Sequence, residues 1–116
     1  LGKAGYKIVI TSDHGSLRVN RPALVAADKH SSSGIRYKYG RNINVSNKSA
    51  IDVRDLSLYR LPDIGHQINY IIAKEDFFFI YPNEQNKFKQ QLQNSFQHGG
   101  VSMEEMLVPI FTLTQK

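Results

Sequence analysis

Two histidines near opposite ends of the chain stand next to glycines, and both are candidates to hold a metal ion. His14 lies in the segment "IVITSDHGS", residues 8–16, where it follows Asp13 directly and precedes Gly15. Asp and His are ordinary ligands for a divalent cation, and adjacent ligands can serve one ion where the backbone turns. Glycine permits such a turn. Taken alone, the dipeptide favours the simpler interpretation, a capped turn that carries a surface histidine.

The second histidine, His98, lies in "QHGGVSMEEM", directly ahead of a predicted helix. Ser102 and Glu105 have the spacing of a capping box, and Pro109 ends the helical pattern. A ligand between a glycine turn and a capped helix is well positioned, but an ordinary loop histidine would have the same sequence. His14 and His98 are 84 residues apart and show no local ligand spacing.

The basic residues are concentrated in one part of the chain. The net charge is +5, but residues 18–60 hold nine Lys/Arg against three acids, whereas the last 56 residues hold four Lys and six acids. A localised positive field favours an anionic partner, and a solvated, lysine-rich loop is the alternative. His30 lies inside this segment and is either substrate-facing or merely exposed. His66 follows "LPDIG" and is predicted to be a loop residue without a role.

Length and composition limit the classes of protein that remain. The 116 residues are enough for one domain with a modest core. The absence of cysteine excludes disulfides, thiolate zinc sites and a cysteine nucleophile, and it fits a reducing, cytoplasmic location. No apolar run is long enough to cross a bilayer, so no membrane partner is predicted. Because the chain begins with Leu1 rather than Met, we expect it to be a piece of a longer protein.

Strand and helix patterns alternate at both ends of the chain, which predicts an α/β sheet interrupted by an inserted segment. The insertion, residues 17–60, is predicted to be irregular apart from one short helix near residues 21–28. The other predicted elements are a buried strand at 6–11, two strands at 69–74 and 76–81 that form a hairpin, a surface helix at 83–94 and a final strand at 109–113.

Read together, "IVITSDHGS" and "FQHGGVSMEEMLVPIF" resemble the C-terminal part of a PglZ domain of the alkaline phosphatase superfamily. "DKHSSSGIRYKYGRN" is similar to the PorX-type response regulators of Bacteroidetes, which join a receiver domain to a PglZ phosphodiesterase. The resemblance covers essentially the whole chain. It implies an alkaline phosphatase-like fold and two zinc ions, one bound by Asp13 and His14 and the other by His98.

The resemblance also implies what this chain does not contain. The family's Thr or Ser nucleophile and its remaining ligands would lie upstream of Leu1, in the N-terminal half of the domain. Thr11 and Ser12 precede the Asp-His pair and do not occupy the nucleophile position. We therefore expect the chain alone to be an inactive fragment of a zinc-dependent phosphodiesterase, with an open edge on the 7–11 strand that favours self-association.

With this resemblance, the basic segment becomes a predicted binding surface for a nucleotide or oligonucleotide phosphodiester. Its cations can hold phosphates, and its tyrosines can stack on bases. The alternatives are a noncatalytic nucleic-acid or anion-binding module and a module that mediates protein contacts. The predicted substrate-binding residues are Lys29, His30, Arg36, Tyr37, Lys38 and Arg41, with Tyr39 beside them.

Overall fold

The structure is a computed structural model that describes residues 4–28 and 31–114, apart from the Glu84 side chain. Short strands dominate it, and they form four small sheets. In chain order the elements are β1 (Ile8–Thr11), β2 (Leu17–Arg18), β3 (Arg21–Leu24), β4 (Tyr37–Arg41), β5 (Ala50–Val53), β6 (Ile68–Ala73), β7 (Phe77–Ile80), a 3-10 helix (Pro82–Glu84), α1 (Gln85–Leu92), β8 (Phe96–Gln97), α2 (Met103–Met106) and β9 (Ile110–Leu113).

The centre of the fold is an antiparallel three-stranded sheet in the order β4-β6-β5. Its inner face contributes Ala50, Ile71 and Ala73 to the main core, where Val25, Ile43 and Phe79 pack against them. The Asn69 side chain binds the N–H and the carbonyl of Ile43, at 2.8 and 2.9 Å, and so satisfies a buried loop backbone. Four of the six residues of β6 are buried.

The second part of the core is built around β7, which pairs with β3 in parallel. The sequence of β7 is FFFI, and such unbroken apolar runs are typical of strands buried on both faces. Phe78 and Ile80 pack with Val19 against the apolar side of α1, represented by Phe88 and Leu92. Arg21 binds both Glu75 and Asp76, which fixes the start of β3 beside the turn that precedes β7.

Three predictions for the middle of the chain are wrong. The segment 17–60 is not irregular, because it contains β2 to β5. Residues 21–24 form a strand instead of a helix, with Pro22 in a ladder to β7. The strands at 68–73 and 77–80 exist, and the chain turns at Glu75 (φ 43°), but they do not pair as a hairpin. Each already has another partner, since β6 lies between β4 and β5 and β7 pairs with β3.

The two ends of the chain meet in a ribbon of β1 and β9, with Ile8 opposite Leu113 and Thr11 opposite Ile110. The Thr11 hydroxyl donates to the Pro109 carbonyl oxygen at 2.9 Å. Both strands were predicted, but the burial predicted for the first is wrong. Val9, Ile10, Ile110 and Phe111 are all more than half exposed, because no described element covers the ribbon.

The predicted surface helix at 83–94 is confirmed as α1 and the 3-10 turn before it. α2 is a single turn that begins after Ser102 and ends before Pro109, as the capping pattern predicts. No helix in residues 4–28 and 31–114 is long and apolar enough to cross a membrane.

Candidate metal site

Asp13 and His14 follow β1, and the turn that contains them rests on the backbone of α2. The Gly15 N–H donates to the Glu105 carbonyl oxygen at 2.9 Å. A methyl group at position 15 would collide with the Glu104 carbonyl oxygen, so this contact requires glycine. The glycine after the Asp-His pair therefore allows the turn to pack closely against α2.

His98 directly follows β8, which pairs with β2 so that Leu17 faces Gln97. The antiparallel pairing aligns the chain just before β2 with the chain just after β8, and these are the segments that hold His14 and His98. Gly99 has a φ of +100°, a conformation that favours glycine, and it turns the chain towards α2. A two-residue ladder thus brings the two histidine turns side by side.

The imidazole rings of His14 and His98 stack on one another. Their centroids are 3.8 Å apart and their planes differ by 17°. Two side chains separated by 84 residues of sequence are therefore in direct contact.

The hydrogen bonds of His14 leave one ring nitrogen available to a ligand. Nδ1 lies 2.8 Å from the Gly15 carbonyl oxygen, which can only accept, so Nδ1 carries the proton. In the neutral ring Nε2 then keeps its lone pair, the arrangement usual for histidines that bind metals. Asp13 Oδ1 accepts a hydrogen bond from the His14 backbone N–H at 3.0 Å and lies 3.6 Å from the ring atom Nε2. The Asp13 side chain is 87% exposed.

One carboxylate and two imidazoles are donors of the kind that zinc binds, so the residues present fit part of a zinc site. Within the described parts of the chain, however, no group of three or more His, Cys, Asp or Glu side chains is placed to hold an ion. The site needs further ligands to be complete.

A buried ion pair lies directly behind the His98 turn. Arg36 donates from Nε and Nη2 to the two carboxylate oxygens of Glu105, each at 2.8 Å, and from Nη1 to the Phe77 carbonyl oxygen. The Gly100 and Ser102 N–H groups also donate to Glu105, at 2.9 and 3.2 Å.

These bonds determine the charge state of Glu105. Burial by itself would raise the pKa of the carboxyl group, but the hydrogen bonds from Arg36, Gly100 and Ser102 outweigh it and lower the pKa to about 2. Glu105 is therefore ionised throughout the neutral range. The sequence identified it only as half of a capping box, and no local pattern connects it with Arg36, 69 residues away.

Residues 1–113 match the family model of the BREX system PglZ alkaline phosphatase-like domain. The chain belongs to this family. Membership suggests a phosphoesterase-type function, and metals are typical of the alkaline phosphatase-like superfamily. No curated protein matches the chain.

Two of the cations predicted to bind substrate are instead inside the PglZ domain. Arg36 is fully buried in its pair with Glu105. Lys38 is 2% exposed, and its ammonium group donates to the Ser32 carbonyl oxygen at 3.1 Å and the Tyr81 hydroxyl at 3.2 Å. Arg36 and Lys38 are two residues apart in an extended segment and so share a face, and that face is the inner one. Neither is free to hold a phosphate.

The other predicted substrate residues are either exposed on β4 or outside the described residues. Tyr37 and Arg41 are exposed on β4, at its two ends. Tyr37 borders the histidine turn, because a methyl group on Gly99 would lie 3.3 Å from Tyr37 Cδ1. Lys29 and His30 lie outside the described residues. His66 is exposed in the loop before β6.

Tyrosines form a row across the outer face of the three-stranded sheet. The Tyr37 and Tyr39 rings are 6.4 Å apart, and Tyr39 lies 5.3 Å from Tyr70, a buried residue that no local sequence pattern marks. A cleft of about 370 Å³ continues from this row past Arg41. It is lined by Asp28, Tyr39, Gly40, Arg41, Ile64 and Ile68.

Proposed function

We propose that this chain is the C-terminal part of a zinc-dependent PglZ phosphodiesterase, with Asp13 and His14 at one ion and His98 at the second. The observation that supports it best is the contact between the His14 and His98 rings. Chance alone would not be expected to bring together the two histidines that the family motifs select. The buried pair behind them and the glycine contacts give the turns a fixed backbone.

Bound zinc would supply charge stabilisation for a phosphoryl group undergoing in-line displacement. Three residues of this chain would hold the zinc ions. His14 presents Nε2 because Gly15 binds the Nδ1 proton, and Asp13 adds an exposed carboxylate beside it. His98 lies on a glycine turn whose Gly100 N–H is bound to Glu105.

The nucleophile and the other ligands are proposed to come from the N-terminal half of the domain. The described residues lack a third converging ligand. Thr11 is an unsuitable nucleophile because its hydroxyl donates to the Pro109 carbonyl oxygen and links β1 to β9. The exposed apolar ribbon of β1 and β9 is proposed to be the surface that the N-terminal half covers. The chain alone is accordingly inactive.

The proposed substrate is a nucleotide or oligonucleotide phosphodiester, and the row of tyrosines supports this choice. Tyr37 is beside the histidine turn, and Tyr39 extends the row, so a base next to the scissile phosphate could stack on them. Arg41 stands at the far end of β4, where it could bind a neighbouring phosphate. Arg36 and Lys38 are omitted from the proposed contacts.

The proposed setting is cytoplasmic, with the domain acting as the output of a PorX-type response regulator. The segment "DKHSSSGIRYKYGRN" supports it, since it resembles those proteins. A receiver domain encoded upstream of residue 1 would be the expected finding, and another kind of upstream domain would contradict this part of the proposal.

The function is tested with the full-length polypeptide that contains residues 1–116. It should hydrolyse a chromogenic bis-aryl phosphodiester in the presence of zinc, and chelation should remove the activity. His98→Ala should lower kcat by at least about a hundredfold, since one ion loses a ligand. His66→Ala is the matched control, because His66 is exposed away from the site. Equal loss in the two variants, or hydrolysis that is unaffected by chelation, would contradict the proposal.

The alternative is a noncatalytic nucleic-acid-binding module, favoured by the exposed Tyr37 and Arg41. It predicts that the full-length protein binds a short single-stranded oligonucleotide without cleaving it. Binding should then weaken in a Tyr37→Ala/Arg41→Ala variant and remain unchanged in His98→Ala. Metal-dependent cleavage lost on His98→Ala would exclude this alternative.

A further inference from the structure

Glu105 is bonded to both histidine turns at once. Its backbone carbonyl accepts the Gly15 N–H, one residue after His14, at 2.9 Å. Its carboxylate accepts the Gly100 N–H, two residues after His98, also at 2.9 Å. A single residue on α2 therefore joins the two segments whose side chains meet in the site.

The carboxylate is itself fixed by Arg36, which connects it to the core. Arg36 binds both carboxylate oxygens, and its third nitrogen donates to the Phe77 carbonyl oxygen at the start of β7. The two side chains are 0% and 1% exposed. A bidentate pair away from water has one preferred geometry, so movement of Glu105 would leave a buried charge unpaired.

Two glycines fit closely around this residue. At Gly100 a methyl group would lie 2.6 Å from Glu105 Oε2 and 2.7 Å from Arg36 Nη2, inside contact distance. At Gly15 a methyl group would collide with the α2 backbone. The Gly100 turn therefore approaches the Glu105 side chain, and the Gly15 turn approaches the Glu104 backbone beside it, more closely than a residue with a Cβ could.

We propose that Glu105, held by Arg36, is a positioning residue that sets the separation of the Asp13-His14 and His98 turns. The inference rests on the proposed function only where it concerns metal, because the positioning itself is a property of this chain. Groups that orient metal ligands from behind commonly change metal affinity 10- to 100-fold when they are removed.

The separation of the turns can be measured without metal because the chain has no cysteine. In a His14→Cys/His98→Cys variant, a short thiol-to-thiol cross-linker should join the two positions rapidly. Adding Glu105→Gln should slow the cross-linking at least about tenfold, because the Gly100 N–H and Arg36 lose their ionised partner. Glu104→Gln is the matched control, since Glu104 is the exposed neighbour of Glu105 and should leave the rate unchanged.

A second cysteine pair separates positioning from general unfolding. Ile51 and Ile72 face each other across β5 and β6, so cysteines there should cross-link equally well with and without Glu105→Gln. If cross-linking of this pair also slows, the rates of both cysteine pairs are measured again in an Arg36→Met/Glu105→Leu variant. Apolar side chains of similar volume often preserve the fold where a broken buried pair does not. Slow cross-linking of positions 14 and 98 with a normal 51–72 rate supports the proposal, and a normal 14–98 rate overturns it.

Zinc affinity is the second measurement, made by competition with a chromogenic chelator in the full-length polypeptide that contains residues 1–116 and retains both histidines. A 10- to 100-fold weaker affinity for Glu105→Gln than for Glu104→Gln is expected. If the full-length polypeptide binds no zinc but the cross-linking responds to Glu105→Gln, the positioning role stands and the proposed function fails. Equal zinc affinity in the two variants overturns the link between positioning and metal.

Discussion

At the scale of single residues, Glu105 links stability to pH. Its pKa is about 2 in the folded protein and near 4.5 when exposed, so the unfolded state binds a proton first as pH falls. The stability that this carboxylate contributes is complete above about pH 4.5 and is lost as the pH falls towards 2.

We therefore predict that the free energy of unfolding decreases between about pH 4.5 and 2, and that Glu105→Gln removes much of this decrease. At pH 7 the same substitution should cost roughly 3–5 kcal/mol, since it leaves the Arg36 guanidinium buried without its anion. Urea unfolding across this pH range measures both effects. An unchanged acid slope in the variant would contradict the assignment, and Glu104→Gln should retain the normal slope.

Gly100 provides a steric test of the same region. Gly100→Ala places a methyl group within 2.7 Å of both Glu105 and Arg36, so it should destabilise the chain by about 2 kcal/mol. Gly65→Ala is the comparison, because Gly65 has a φ of +145° but open space around it. It should show only a backbone cost of about 1 kcal/mol. A smaller loss at position 100 than at position 65 would argue against close packing there.

At the scale of elements, the ladders predict an order of local stability. β6 is hydrogen-bonded on both sides and mostly buried, whereas β1 and β9 pair only with each other in an exposed ribbon. In hydrogen exchange of the isolated chain, β6 amides should exchange at least about tenfold more slowly than those of β1 and β9. Comparable protection in the ribbon would mean that something covers it in solution.

Local patterns predicted the elements better than their pairing. The predicted surface helix at 83–94 corresponds to α1, the Ser102–Glu105 spacing identified α2, and the predicted strands at 69–74 and 76–81 correspond to β6 and β7. The parallel pairing of β3 with β7 was not predictable, because it joins residues about 56 positions apart with no signal in between. Side-chain alternation along an extended segment puts Arg36 and Lys38 on one face, but it does not show whether that face lies in the core or in solvent. The buried acid that pairs with Arg36 lies in another element.

At the scale of the whole molecule, the exposed apolar side chains of β1, β9 and the end of α2 predict self-association of the isolated chain. Light scattering at several concentrations should show an average mass that rises with concentration. Ile110→Lys should reduce this rise, because Ile110 lies in the ribbon. Leu58→Lys is the matched control, since Leu58 is equally exposed (71% against 70%) but lies in the 54–67 loop. A monomer at every concentration would refute the prediction.

The chain length between His98 and Glu105 follows from the way α2 is used. His98 lies in the site while Glu105 faces the buried Arg36, so the seven-residue interval between them fixes the orientation of α2 relative to the His98 turn. One deleted residue would rotate α2 by about 100° relative to the turn and offer Arg36 a methionine in place of an acid. In the exposed 54–67 loop, the same change would only shorten a surface connection. Natural relatives should therefore vary in length at 54–67 and hold the 98–105 interval constant.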